Sequence, residues 1–480
     1  MGLALIIIPL LGAVAAFVIR SNARRPLILP VVALAHLALT VTALAGADTR
    51  GAVAWLGLDP PGRIVLLLAS VLFTVCSFYA VGYLRLRGDR PNRVFCGCLM
   101  AFLGMMTFII WANHLGLMWV AVEATTLTSA PLLYFNHTGR SLEATWKYLL
   151  IGSVGIALAL LGSFFLGYAA IASGHESSLL FASLVASAPE FSKPWLHAAF
   201  ILLLVGYGTK MGIAPMHTWK PDAYGEAPGV VGALLAGGMT SCAFLAIIRV
   251  FHILVAAGEA AFASRLLVAM GILSMVMAGA FMVRQRDFKR MLAYSSVEHM
   301  GILVLGLGLG PAGAFGAMLH MVNNGLVKGV MFLSAGNIHR AYDSKLTDDV
   351  AGAMHRLPWS GGLFLAGFIA VTGSPPFAPF VSEFTILNAA FGQGRYVVGG
   401  LMLALLLVIF MGMGATVLAV VQGRPSAKAR STPFHDRPLT ILPPIVLMAA
   451  VVVLGLYVPG PLRTMIDDAV VYLGFPEGQP

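Results

Sequence analysis

The chain has 480 residues, of which 59% are hydrophobic and 10% charged, and its formal net charge is +10. Soluble domains carry roughly 25% charged residues, so this chain cannot cover itself with a solvated surface and lipid must be its main solvent. The positive excess could point to nucleic acid, but its distribution along the chain excludes that reading. A spanning helix needs about 20 mostly apolar residues, and such runs recur throughout. In chain order the candidate spans are 3–19, 27–45, 64–83, 95–112, 115–135, 145–171 and 195–213, followed by 228–255, 264–283, 292–309, 312–336, 358–391, 397–421 and 440–458. Fourteen spans, all helical, make this an all-α polytopic membrane protein, because lipid leaves the backbone no other way to pair its polar groups than a helix or a closed barrel. The first span, Leu3 to Ile19, has no basic segment before it and is followed by Arg20, Arg24 and Arg25, so it reads as a retained anchor and not a cleaved signal.

The basic residues fix an expected topology. Loops between odd and following even spans hold 21 Lys/Arg, among them Arg85, Arg87, Arg90, Arg93, Arg284, Arg286, Lys289 and Arg290, and in the last such loop Arg424, Lys428, Arg430 and Arg437. The other side holds six: Arg50, Arg63, Lys193, Arg265, Arg395 and Arg463. Positive residues stay in the cytoplasm, which places both termini outside it, in the inner membrane of a bacterial or archaeal cell. The four cysteines lie in or beside apolar runs at spacings that suit neither a zinc knuckle nor a redox pair, and read as small buried residues.

Two spans are interrupted. The seventh breaks at Gly212-Ile213-Ala214-Pro215 and the twelfth at Gly373-Ser374-Pro375-Pro376-Phe377-Ala378-Pro379, because proline removes a helix hydrogen bond and clashes with the preceding turn. Gly/Pro-interrupted spans in matching positions, five apart, are what two inverted five-helix repeats produce, since an odd count flips each unit in the membrane. The expected organisation is an N-terminal group of three spans (1–94), a first repeat of spans 4–8 (95–255), a second of spans 9–13 (264–421), and a linker, span 14 and tail (422–480). The polar stretch His217 to Gly229 reads as the cytoplasmic end of the broken seventh helix and its turn into span eight.

Each ionisable residue at bilayer depth costs about 2.5–3.5 kcal/mol on insertion scales and is a functional candidate by default. Glu123, Lys210, Arg249, His252, Glu298, His299, His320, Lys328 and Glu383 qualify. Glu123 and Lys210 are a carboxyl and an amine whose burial pushes them toward a shared proton; the bland alternative is a static ion pair. Lys210 also sits beside the backbone freed by Pro215, where carbonyls can cradle water and cations. His320 and Lys328 are eight residues apart, about 12 Å along one helical face, with Asn323 and Asn324 between them, a pattern that suits a hydrated relay better than a lipid-facing stripe. His217, His252, Glu298 and His299 are further relay candidates. Arg249 reads as snorkelling to the interface, and Glu298 and His299, being adjacent, as pointing apart, one of them to a cytoplasmic neighbour. No Walker A, HExxH or cysteine-cluster pattern appears, and Gly306, Gly308 and Gly310 have no strand before them. The sequence discloses no cofactor and no metal in this chain.

The segments 207-YGTKMGIAPMHTWKPDAYGEAPG-229, the pattern around His320 and Lys328, and 381-VSEF-384 after a broken segment resemble the antiporter-like proton-translocating subunits of complex I (subunits L, M and N), Mrp antiporters and group 4 hydrogenases. Within that family 115-LGLMWVAVEATTLTSAPLL-133, 141-SLEATWKYLLIGSVGIALAL-160 and 294-YSSVEHMG-301 look most like hydrogenase-4 component F. The resemblance covers about residues 60–425. It implies fourteen helices with two inverted repeats, Glu123 and Lys210 as the glutamate and lysine of a first half-channel, His320 with Lys328 as the span-eleven relay, and Glu383 as the span-twelve residue. In one place the chain departs from the pattern: Ser241 falls where the family has a span-eight lysine or histidine, so either His252 substitutes for it or the path between half-channels differs.

The function implied is that of a proton-translocating subunit of a membrane oxidoreductase complex of hydrogenase-4, formate hydrogenlyase or complex I type, with redox chemistry confined to partner subunits. The alternatives are an Mrp-type Na⁺/H⁺ antiporter subunit, a proton-driven subunit of an inorganic-carbon uptake complex, and an inert scaffold for electron-transfer subunits.

Overall fold

With no water in the bilayer core to satisfy the backbone, apolar runs close their hydrogen bonds within helices, and helices form almost the whole chain. The computed structural model describes residues 1–46, 53–175, 178–424 and 432–475. The predicted loop cations Arg50, Lys428 and Arg430, and the last five residues of the tail, lie outside the described residues.

The first half runs α1 (Gly2–Val18), α2 (Ile28–Ala45), α3 (Pro60–Arg85), α4 (Arg93–Trp111), α5 (Leu115–Leu133), α6 (Gly139–Ile171), a short α7 (Phe181–Ser187) and α8 (Lys193–Met211). After the first break come α9 (Trp219–Glu226) and α10 (Gly229–Leu234), which continues through a π-helical turn (Leu235–Met239) into α11 (Thr240–Ala256). The second half holds α12 (Ala260–Met282), α13 (Phe288–Leu307), α14 (Gly310–Tyr342), α15 (Ala353–Arg356), α16 (Pro358–Val371), α17 (Ala378–Gly392), α18 (Tyr396–Val421), α19 (Pro438–Leu456) and α20 (Gly460–Tyr472). Nine helices among the described residues are long and apolar enough to cross a membrane. The rest are shorter, interrupted or more polar.

Helices lie under every predicted span, with ends shifted by a few residues. The twelfth span is two half-helices, α16 and α17, separated by six residues at the expected break. Other details differ from expectation. The stretch read as a cytoplasmic turn contains α9, a buried helix. The tail contains α20, which carries too many polar residues to look like a span yet packs on α3. The outer ring of the molecule exposes apolar side chains such as Leu127, Phe164, Leu407 and Leu442, as a lipid-facing surface should. The segment Gly229–Ala256 is the opposite, because its most apolar window is entirely buried by other helices.

Buried polar residues fasten these helices together. His36 of α2 bonds Ser70 of α3 and Thr107 of α4, each at 3.0 Å, so this imidazole is a satisfied packing group. Arg25 turns back to give its guanidinium to the carbonyls of Ala16 and Ile19, which answers the unpaired C-terminal end of α1. Arg249 corrects an expectation. It is 2% exposed and does not snorkel; its Nε and Nη2 donate to both carboxylate oxygens of Asp59 at 2.7 and 3.0 Å, while its other donor bonds reach the carbonyls of Ile109 and Ile110. A low-dielectric interior holds a guanidinium only when its donors are matched in this way.

Candidate functional site

The first cluster is built by α5, α6 and α8. The Nζ of Lys210, in the last turn of α8, donates to Thr126 Oγ1 at 2.7 Å and to Tyr148 OH at 2.9 Å. Thr126 in turn donates to Glu123 Oε2 at 3.3 Å, and Ser153 donates to Glu123 Oε1 at 3.3 Å. Glu123 and Lys210 are thus linked through a threonine hydroxyl and are not in direct contact, although each lies within Coulombic reach of the other. Such a geometry differs from the static ion pair. A hydroxyl is both donor and acceptor, so a proton can pass along the set without the charged groups moving far.

Beyond Lys210 the helix stops. Gly212 adopts φ +79°, the Ala214–Pro215 peptide is cis, and at the end of α8 the Gly212 amide reaches the Gly208 and Thr209 carbonyls, leaving room at the last turn's carbonyls for side-chain donors. Helix α9 folds back to meet them. Trp219 Nε1 donates to the Thr209 carbonyl at 2.9 Å, and Lys220 Nζ donates to the Met211 carbonyl at 2.8 Å. Lys220 is fully buried, and sequence reading had placed its segment in a cytoplasmic turn. The WKPD run gave no contrary signal, because proline and aspartate beside a lysine are the composition of a loop. Tyr148 was missed as well, since a single tyrosine in an apolar helix carries no pattern.

The second cluster is built by α13, α14 and the second break. The chain turns at Gly373 (φ +66°), with a cis Pro375–Pro376 peptide, before α17 begins. His299 Nδ1 and His320 Nε2 share a hydrogen bond of 2.9 Å, His320 Nδ1 meets Ser382 Oγ at 2.9 Å, and Asn323 Nδ2 donates to the same hydroxyl at 3.1 Å. Glu383 follows Ser382 and leaves Oε1 without a hydrogen-bond partner; Asn324 next to Asn323 also has both amide atoms unpaired. Orphaned buried polar atoms of this kind mark where water or a proton would be received. Lys328 donates to Ser295 Oγ at 2.6 Å and lies within Coulombic reach of Glu298 and Glu383. Glu298 and His299 are both buried, so neither turns to a cytoplasmic neighbour as expected; they face different partners within the core.

Not every predicted residue joins these clusters. His217 is buried, with Nδ1 unpaired and its ring 6.5 Å from Tyr294. His252 lies at the far end of α11 against the ring of Tyr472, 4.3 Å between centroids, and makes no hydrogen bond to the other candidates. Ser241 returns its hydroxyl to the Gly237 carbonyl of the π-turn at 2.6 Å. Pro215, Pro375 and Pro376 all sit at the breaks.

The ligand atoms of His299, His320 and Glu383 come within 4.8 Å of one another. The facing nitrogens of His299 and His320 already hold one another, so two of the three ligand atoms are engaged in a hydrogen bond as the structure stands. On the arginine-rich side a cavity of about 490 Å³ opens over α9, lined by Lys147, Asp222, Glu226, Asp287, Arg290 and Lys345. Its carboxylates are all paired: Lys147 meets Asp222 at 2.9 Å, Arg290 meets Asp222 at 3.1 Å, and Lys345 meets Asp287 at 3.3 Å and Glu226 at 2.5 Å. Its floor is Pro221 and Asp222, one and two residues from buried Lys220.

The chain as a whole has counterparts among known proteins. The family described as NADH:quinone oxidoreductase/Mrp antiporter, TM, matches residues 112–412. The chain is 35% identical over 423 residues to a hydrogenase-4 component F homolog of Methylacidiphilum infernorum (isolate V4), covering 84% of this chain and 87% of the relative. It is 31% identical over 457 residues to NADH-quinone oxidoreductase subunit N of Desulforudis audaxviator (strain MP104C), covering 89% of each. Among solved structures it superposes on a chain of the membrane-bound sulfane sulfur reductase, an archaeal respiratory membrane complex, with a TM-score of 0.87 at 22% identity, covering 99% of this chain and 98% of the other.

Proposed function

From its membership of the NADH:quinone oxidoreductase/Mrp antiporter membrane family, we propose that this chain translocates protons as one subunit of a membrane-bound oxidoreductase complex of hydrogenase-4, formate hydrogenlyase or complex I type. The observation that carries the reading is the pair of hydrogen-bonded sets, one around each helix break, buried except for the half-buried Glu123. Glu123–Thr126–Lys210–Tyr148 stands at the first, and His299–His320–Ser382, with Lys328 and Glu383 beside it, at the second. A lipid-bathed scaffold gains nothing from two amines, a carboxyl and two imidazoles buried in its core, each costly to desolvate.

In this reading Glu123 gates Lys210. When the carboxylate is close and charged it holds the lysine as an ammonium; when that influence is withdrawn the ammonium gives up its proton toward the second set. Residues 95–255 and 264–421 form the two inverted repeats, each contributing one break and one set, and both termini lie outside the cytoplasm. Redox chemistry belongs to partner subunits, whose conformational changes drive the gate.

The test is proton movement in proteoliposomes that hold the purified native complex, followed with a pH dye in the lumen. Lys210→Ala is expected to abolish coupled translocation while the complex still assembles. Translocation at the wild-type proton stoichiometry would overturn the reading. Running the same assay in sodium-free choline buffer separates the Mrp-type alternative, because a Na⁺/H⁺ exchanger stops there and a proton pump does not.

A further inference from the structure

Lys220 is a fully buried amine that neither hydrogen-bonded set contains, and its contacts reach toward both of them. On one side its Nζ donates to the carbonyl of Met211, the residue after Lys210. On the other its Nζ stands 3.5 Å from the carbonyl of Ser296, the residue after Ser295, whose hydroxyl holds Lys328. It is within Coulombic reach of both Lys328 and His299. The path toward Lys210 is lined by polar and aromatic groups: Tyr148 OH accepts from Lys210, the Tyr148 ring packs 5.0 Å from Trp219, and Lys220 Nζ lies 5.6 Å from the ring centroid of Tyr224. The hydroxyls of Tyr224 and Ser296 are buried next to one another, and neither bonds any third group. Two such hydroxyls beside a buried amine are partners that a bridging water can use.

The local backbone is shaped around this side chain. A Cβ placed on Gly212 would come 2.7 Å from Lys220 Cδ and 3.0 Å from its Nζ, so the glycine supplies both the positive φ and the space in which the lysine lies. Span eight offers no rival in the interval, because Ser241 spends its hydroxyl on its own helix and His252 is at the far end of α11.

We propose that Lys220 is the proton carrier that joins the Lys210 set to the Lys328 set. The Lys210 ammonium loses a proton, through the Tyr148 hydroxyl or water, and the Lys220 amine becomes an ammonium. Lys220 then releases that proton toward the Lys328 amine and is an amine again. One N–H bond breaks and one forms at each transfer, and no other bond changes. The inference rests on the proton-translocation reading above.

The experiment uses the native complex in proteoliposomes driven by an imposed potassium diffusion potential, with a pH dye in the lumen and Lys210→Ala measured in parallel. Lys220→Leu is expected to lower proton flux by about 10²-fold, the scale of losing a positioned proton-transfer group. Lys220→Arg separates carriage from structure, since arginine keeps the donor and the charge but cannot be deprotonated. If Lys220 only clasps the break, Lys220→Arg restores flux; if it carries the proton, flux stays at background. Lys220→Gln, a neutral donor, decides the matter should the arginine variant fail to accumulate: background flux at a normal chain level supports carriage, and normal flux overturns it. Wild-type flux in Lys220→Leu with background flux in Lys210→Ala overturns this inference alone, whereas wild-type flux in both overturns the proton-translocation reading itself.

Discussion

Replacing Asp59 by alanine is expected to cost about 3–5 kcal/mol of stability, because it leaves the Arg249 guanidinium buried and without its counter-charge. Asp59 does two jobs at once. Its carboxylate takes two donors from Arg249, and Oδ1 also accepts from the Gly62 amide at 2.9 Å, capping α3. Arg249 also bonds the carbonyls of Ile109 and Ile110 at the end of α4 and reaches Met118 Sδ of α5, so the unpaired cation would pull on several helices together. Asp59→Asn keeps the cap and one acceptor but loses the charge, and should fall between wild type and Asp59→Ala. Thermal unfolding in detergent, followed by tryptophan fluorescence, checks the order. Equal midpoints for wild type and Asp59→Ala would show that the pair contributes nothing.

Gly373→Ala is expected to abolish proton translocation. At this position φ is +66°, a conformation that costs an L-residue roughly 1–2 kcal/mol. The added methyl group would also run into Glu383 Oε2, which occupies the space beside the glycine. The strain and the shift of a flexible side chain are survivable for the fold, but the shift moves the Glu383 carboxylate from the position it holds beside the break. Gly362→Ala, in the same half-helix region, is the control, since its Cβ would meet nothing within 4 Å and alanine favours the helix by about 0.5–1 kcal/mol. The measurement is proton flux against chain level in the same vesicles. Wild-type flux in Gly373→Ala would sink the role given to Glu383.

The helical class and the two breaks were readable from sequence because they rest on strong local signals. Long apolar runs admit one solution in lipid, and Gly212 with Pro215, like Gly373 with Pro375 and Pro376, break a helix by their own covalent geometry. The buried ionisable residues were readable for the same reason, since each stands out against an apolar run. What sequence could not give was the pairing of one segment with another. Thr126 between Glu123 and Lys210, Ser295 beneath Lys328, and Ser382 holding His320 are ordinary hydroxyls, and only tertiary placement makes them links. Arg249 was misjudged because its partner Asp59 is 190 residues away in the chain. Lys220 was misjudged because the composition around it is that of a loop, while the fold buries it against the end of α8. The amphipathic α20 was passed over because a docking helix carries no hydropathy signal comparable to a span.

The first break has a mechanical consequence. An interrupted helix is easily thought of as a soft point, yet here the carbonyls of Thr209 and Met211 are held by Trp219 and Lys220 from the next helix. The Ala214 amide is likewise fastened to Ser274 Oγ at 2.9 Å. Bending the segment would forfeit three hydrogen bonds at about 1 kcal/mol apiece, with Trp219 leaving its packing against Tyr148 as well. The interruption is therefore rigid, and α8 and α9 behave as one jointless bracket. Charge that crosses this region must then travel by side-chain rotation and the rearrangement of water, over distances of a few ångströms, within a backbone that stays where it is.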